Sequence, residues 1–197
     1  YDYGNNLAEL TARGEQLDIN SVVKGLQDAY AKQKPALTAE QLKPALEAFQ
    51  KREQARAQQA KAEYDKVAAE NKTKSDQFIA SFKAQPGVKT LPGGVAYKVL
   101  ENGTGAKPTQ ASTVELQVAG AYPFGQRPSE ARPPQQMKDV KVSAIEMQAM
   151  RDVLLQMPVG SKWEVALPPD KAYGADPRTG FPPNVAVVFE IKLVSAK

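Results

Sequence analysis

The side chains able to do chemistry in this 197-residue chain are carboxylates, lysines, arginines and tyrosines, because it has no histidine and no cysteine. Without cysteine there is no disulfide framework, no thiolate nucleophile and no Cys-ligated metal. Without histidine there is no Ser-His-Asp or Cys-His machinery and no imidazole base at neutral pH. What remains is carboxylate, Lys or Tyr chemistry, or a reaction that needs no proton transfer. The 26 basic and 22 acidic residues leave a net charge of +4, dispersed along the chain. Dispersed charge reads as a solvated surface rather than a nucleic-acid footprint. No stretch approaches the roughly eighteen apolar residues that a membrane-spanning helix requires. The chain begins at Tyr1, so the expectation is a processed or trimmed product whose signal peptide is no longer present.

Glycine and proline divide the elements that must position any site. Only Gly4, Gly14, Gly25, Pro35 and Pro44 precede Pro86; the other helix breakers follow it. Few breakers favour helix, whereas many, with β-branched runs between them, favour strands and turns. The first half reads as three helices. One covers about Asp2 to Arg13, with Gly14 as its stop. A second runs from near Asn20 with Val22, Val23, Leu26 and Tyr30 at helical spacing. The third opens on the capping-box pattern Thr38-Ala-Glu-Gln41. Pro44 is expected to kink this third helix or reset its start. Residues 45–85 hold no Gly or Pro and would span roughly 60 Å if helical. Between Phe49 and Phe78 that stretch is mostly Ala, Gln, Lys and Glu, with Tyr64 and Val67 the larger apolar residues. It reads as an exposed rod over residues 50–75 joining two packed ends. Two short apolar helices cannot close a large core alone; a homodimer completing one core is expected, with an intramolecular cap as the alternative.

From Pro86 the reading changes to strands at about Val95–Leu100, Thr113–Val118, Trp163–Leu167 and Val185–Leu193, with a helix at Ser143–Gln156. Pro123 to Gln136 reads as a loop. The whole is an α+β protein: a helical dimerisation module over residues 1–44, a connecting helix over 45–85, and over 86–197 an antiparallel β-sheet wrapped on a short helix.

The second half resembles an FKBP-type peptidyl-prolyl isomerase domain. The likeness rests on Gly94-Val-Ala-Tyr-Lys-Val-Leu-Glu-Asn-Gly-Thr-Gly105, Met157-Pro-Val-Gly-Ser-Lys-Trp163, Leu167-Pro-Pro-Asp-Lys-Ala-Tyr-Gly174, Phe181-Pro-Pro-Asn184 and Val188-Phe-Glu-Ile-Lys-Leu193. The first half is similar to the helical region preceding this domain in the macrophage infectivity potentiator type, on Leu17-Asp-Ile-Asn20, Gly25-Leu26 and Ala45-Leu-Glu-Ala-Phe-Gln50. The resemblance implies a periplasmic or secreted bacterial protein, dimeric through its N-terminal helices, whose partners are unfolded or proline-containing clients. It implies no cofactor and no metal. Twisting an X-Pro amide faces a barrier of about 18–20 kcal/mol. An apolar, water-poor pocket that prefers the twisted amide, with one donor for a carbonyl, lowers it without any titrating group.

The resemblance also assigns site residues. Tyr173, in Ala-Tyr-Gly, would donate to a substrate carbonyl; Phe189 and Phe181 would line the pocket. Other pocket motifs are changed. V-H-Y-T-G is replaced by Leu116-Gln-Val-Ala-Gly120, putting Val118 at a tyrosine position. V-F-D-S-S is best matched by Pro123-Phe-Gly-Gln-Arg127, which keeps the aromatic as Phe124 but puts Gly125 at the aspartate position. V-I-P-G-W becomes Glu146-Met-Gln-Ala-Met150, so Met150 replaces the floor tryptophan and Met147 an isoleucine. Trp163 lies outside that motif and is expected to be structural. Arg127 and Arg132 sit in the proline-rich loop, whose rim either contacts substrate or is merely structural. Two functions stay open: a folding-assisting peptidyl-prolyl isomerase with weakened catalysis, and a non-catalytic chaperone or peptide-binding protein on the same scaffold.

Overall fold

The computed structural model describes residues 1–130 and 132–197. The chain forms two compact units, Tyr1–Gln58 and Gln59–Lys197.

In the first unit, α1 (Asp2–Ala12) is followed by α2 (Ile19–Tyr30), capped by Asp18, whose carboxylate accepts from the Asn20 and Ser21 amides. The long helix α3 (Ala39–Lys83) begins on the expected capping box: the Gln41 amide donates to Thr38 Oγ1 (3.2 Å), and the Thr38 amide to Gln41 Oε1 (2.9 Å). Pro44 does not reset the start. It lies inside α3, in the second turn, where its ring removes one helical bond near an end already held by the cap. Neither α1 nor α2 buries a residue. The unit's buried polar anchor is Glu15, whose carboxylate accepts from Arg52 Nε and Nη2 and from Arg56 Nη1, each at 2.9 Å.

The second unit is a six-stranded antiparallel sheet in the order β1-β2-β5-β6-β3-β4. Its strands are β1 (Val88–Thr90), β2 (Ala96–Glu101), β3 (Thr113–Pro123), β4 (Gln135–Lys141), β5 (Lys162–Leu167) and β6 (Val187–Ala196). Strands β1 and β4, at the two edges, are not among the sequence expectations. Each is polar and largely exposed, so neither shows the alternation that marks a half-buried strand. The helix expected over Ser143–Gln156 is shorter. Residues 142–144 form a 3₁₀ turn, Ile145 and Met147 are extended, and α4 covers Gln148–Leu154.

Alternation along the central strands separates two faces. Trp163, Val165 and Leu167 of β5 join Val187, Phe189, Ile191 and Leu193 of β6 against Met150, Val153 and Leu154 of α4. The opposite face carries Ala96, Ala166 and Val188, paired across β2, β5 and β6, and receives Ile79 and Phe82 of α3. The two alanines leave room for the helix to lie close. The exposed rod therefore needs correction. Ala57 to Glu63 is fully exposed, but from Tyr64 onward one side of α3 is partly or wholly buried.

At two glycines the backbone approaches another strand or turn too closely for a side chain. Gly103 brings its Cα against the Val159–Ser161 backbone; a Cβ there would stand 2.4 Å from Ser161 N and Val159 O. Gly120 sits in the register shift of β3 against β6 with φ +124°, and a Cβ would meet Val188 O at 2.7 Å.

Candidate active site

The buried core between sheet and α4 reaches the surface through aromatic and methionine side chains. Phe189 on β6 and Met150 on α4 belong to the core itself, 6% and 9% exposed. Tyr173, Phe181, Met147, Val118 and Phe124, all partly buried, pack against the same core cluster. The structure thus gathers the sequence-predicted residues onto one core, with differences in how each is used.

Tyr173 and Phe181 meet directly. Their rings stack with centroids 4.1 Å apart and planes 11° from parallel. Tyr173 follows a 3₁₀ turn at Pro169–Lys171, and the next residue is fixed from both sides: the Gly174 amide donates to Pro169 O (2.9 Å), and the Asn184 amide to Gly174 O (2.8 Å). Phe181 follows a second 3₁₀ turn, Pro177–Thr179, capped by Asp176. That carboxylate accepts from Arg178 N and Nε (both 2.9 Å) and Nη2 (2.7 Å), which holds it at about 2, below the usual aspartate value. Thr179 Oγ1 donates to Asp176 O and accepts from the Phe181 amide.

The Tyr173 phenol is half-buried, and desolvation raises its pKa above the ordinary tyrosine value. It stays protonated at neutral pH. Among the described residues its hydroxyl has no hydrogen-bond partner, so the donor is free for a ligand carbonyl beside an apolar surface. Among these residues, too, no group of three or more acidic side chains is placed to hold a metal ion.

Other predicted residues sit apart from this pair. Met147 borders a hollow with Pro92, Gly93 and Ala172, whereas Val118 borders a different one with Gly120, Tyr122 and Gln135. The Phe124 ring lies edge-on to Phe78 of α3, centroids 6.3 Å apart, so its aromatic contact is with the helix. Trp163 is buried and stacked on Tyr97 at 4.1 Å, a structural role as expected.

Arg127 is tied to the sheet. Register sets Glu164 of β5 opposite Glu190 of β6, two like charges on one face. Arg127 Nη2 donates to both, and Lys162 Nζ is 3.1 Å from Glu190. Burial alone would raise the Glu190 pKa, but the bonds from Arg127 and Lys162 outweigh it and hold the carboxyl below its usual range.

Sequence reasoning missed the residues of α3 that reach the Tyr173–Phe181 segment. Tyr64 Oη donates to Ala175 O (2.5 Å), and Asn71 Nδ2 donates to Pro183 O (2.9 Å). Ser75 Oγ donates to Asn184 O (2.8 Å) and accepts from the Ala186 amide (2.7 Å), while Asn184 Nδ2 donates to Ala68 O (3.2 Å). The available signal was spacing: 64, 68, 71, 75, 79 and 82 lie on one helix face, but its middle is small or polar and so carries no hydrophobic stripe.

Two family descriptions match the chain. Residues 1–99 match the domain amino terminal to FKBP-type peptidyl-prolyl isomerase, and residues 104–194 match the FKBP-type peptidyl-prolyl cis-trans isomerase. The "Outer membrane protein MIP" of Legionella longbeachae is 37% identical, over 100% of this chain and 84% of that protein. The FKBP-type peptidyl-prolyl cis-trans isomerase FkpA of Escherichia coli K12 is 30% identical, over 98% of this chain and 70% of its own length. The crystal structure of FkpA from Escherichia coli matches with a TM-score of 0.63 at 29% identity, over 99% of this chain and 89% of that one. The expected α+β architecture agrees with that match. The chain belongs to the FKBP-type peptidyl-prolyl cis-trans isomerases and is an isomerase of X-Pro peptide bonds that assists protein folding.

Proposed function

We propose that Tyr173 is the substrate-facing donor and that Phe181, Phe189 and Met150 supply the apolar surface on which the prolyl amide twists. The observation that carries this reading is the stacked Tyr173–Phe181 pair, with a half-buried, protonated and unpartnered phenol beside a core that reaches the surface. The twisted amide loses resonance and forms no ion. A dry surface that prefers it, together with a hydrogen bond to a flanking carbonyl, suffices. Met147, Val118 and Phe124 pack against the same core outside this pair, the first two at separate hollows and Phe124 against α3.

Turnover is weak. Val118 and Met150 stand where the family pattern has a tyrosine and a tryptophan, and each lost aromatic contact worth about 1.4 kcal/mol in the transition state lowers the rate about tenfold. The same substitutions favour a second reading, a peptide-binding head that holds proline-containing or unfolded clients without turning them over; methionines suit an adaptable apolar groove.

The deciding experiment measures cis/trans isomerisation of a short X-Pro peptide by the full chain and by Tyr173→Phe. The expected result is acceleration over the uncatalysed rate, with kcat/KM lowered roughly tenfold by loss of one hydrogen bond. A wild-type rate equal to the uncatalysed one, with aggregation of an unfolded client still suppressed, supports the second reading instead.

The first unit is a dimerisation module. Its apolar side chains are open, with Ile19 54%, Val23 45%, Leu26 55% and Leu46 56% exposed, and a second copy would cover them. The relative named as an outer membrane protein supports a location in the bacterial envelope or outside the cell. Among the described residues no helix is long and apolar enough to cross a membrane.

A further inference from the structure

We infer that Tyr64, Asn71 and Ser75 of α3 are positioning residues for the isomerase site, acting through the segment 174–186. The inference rests on the reading that Tyr173 and Phe181 face the substrate.

The segment has little regular structure of its own. Between the Pro169–Lys171 turn and the start of β6 it contains one short 3₁₀ turn at Pro177–Thr179. Its backbone carbonyls at Ala175, Pro183 and Asn184 each accept a side chain from α3, and the Ala186 amide donates to Ser75 Oγ. Asn184 closes the arrangement. It adopts φ +54°, a left-handed conformation that asparagine tolerates, and ties Gly174 with its amide and Ala68 with its side chain. Tyr64 therefore bonds two residues from Tyr173, and Asn71 two residues from Phe181. The stack depends on both ends of the segment being held. The rigid element holding them is a helix anchored on the sheet by Ile79 and Phe82. Loops that carry reacting groups are accurate only when a scaffold fixes them.

The hydroxyl of Tyr64 is the cleanest handle. Its bond to Ala175 lies at the surface, so Tyr64→Phe removes that bond while keeping the ring that packs there. The expected result is a three- to tenfold fall in kcat/KM on a short X-Pro peptide, measured well below the melting temperature, with backbone amide exchange around Ala175 accelerated. Tyr64→Phe added to Tyr173→Phe should cost no further activity, because the phenol that Tyr64 positions is already gone; a purely stabilising residue would lower activity equally in both backgrounds. Asn71→Ala provides a second variant at the other end, with the same non-additivity expected against Phe181→Leu. If Tyr173→Phe lowers activity while Tyr64→Phe and Asn71→Ala do not, the positioning role is overturned and the site reading stands. If Tyr173→Phe itself has no effect, both fall together.

Discussion

At the scale of single residues the site turns on protonation states that do not change near neutrality. Desolvation lifts the Tyr173 phenol above its ordinary value near 10, so it remains a donor throughout the physiological range. The expected pH profile of kcat/KM is flat from about pH 6 to at least pH 9; a fall within that window that Tyr173→Phe abolishes would show the donor titrating and contradict the assignment. Asp176 acts at the other extreme. Arg178 holds its carboxyl at about 2, against 3.8 without partners. A depressed carboxyl stabilises fully above the unfolded value and loses that contribution as pH falls through the folded one. The turn before Phe181 should therefore stay capped down to about pH 4 and loosen between about pH 4 and 2. Asp176→Ala should open it at neutral pH, seen as faster amide exchange at Arg178 and Phe181. Unchanged exchange would mean that Pro177 alone fixes the turn. None of these bonds could be read from residue types, since Asp176 and Arg178 are two apart in a stretch that merely looks like a polar loop.

At the scale of elements, the outcome depends on what a sequence pattern can express. The central strands β2, β3, β5 and β6 were legible from their runs of apolar and β-branched residues, and the quoted motifs supplied Tyr173, Phe181 and Phe189 as candidates. Edge strands β1 and β4 were not legible, because backbone pairing on one side needs no apolar side chain. Nor was the docked half of α3, whose contacts are made by Tyr64, Asn71 and Ser75 to backbone rather than by an apolar stripe. Ser75 shows what such a contact is worth. It is fully buried and satisfies both the Ala186 amide and the Asn184 carbonyl. Ser75→Ala would leave both unpaired, a loss of roughly 2 kcal/mol or more. Trp163, the only tryptophan, lies in this unit, so its fluorescence during urea unfolding reports the change. A midpoint within error of the wild type would show that water or a shift of α3 replaces the bonds. Arg127→Ala should act more mildly, by about 1 kcal/mol, because the arginine itself is solvent-exposed and Lys162 still sits beside Glu190 when the Glu164–Glu190 opposition is uncovered.

For the whole molecule, the two units differ in what completes them. The second has a continuous core on both faces of its sheet. The first has none: α1 and α2 bury nothing, and its buried anchor is the Glu15 carboxylate between Arg52 and Arg56. An ion cluster of this kind fixes geometry but supplies little net stability where solvent reaches the arginines. Short helices with apolar faces and no interior are stable when another copy covers them. The chain should sediment as a dimer at micromolar concentration, and the helical signal of the first unit should melt at a temperature that rises with concentration. Leu26→Lys, in the exposed row of α2, should give a monomer with α1 and α2 unfolded. It should leave kcat/KM on a short X-Pro peptide within about twofold, since every proposed site residue lies in the other unit. Acid should act in the same direction. The bond from Arg52, foremost among the causes, holds Glu15 below its usual value, so its contribution is complete above about pH 4.5 and disappears as the carboxylate protonates below that. A wild-type chain that sediments as a monomer with α1 and α2 still helical would show that the unit closes on itself. In that case the exposed row of Ile19, Val23 and Leu26 would need another explanation.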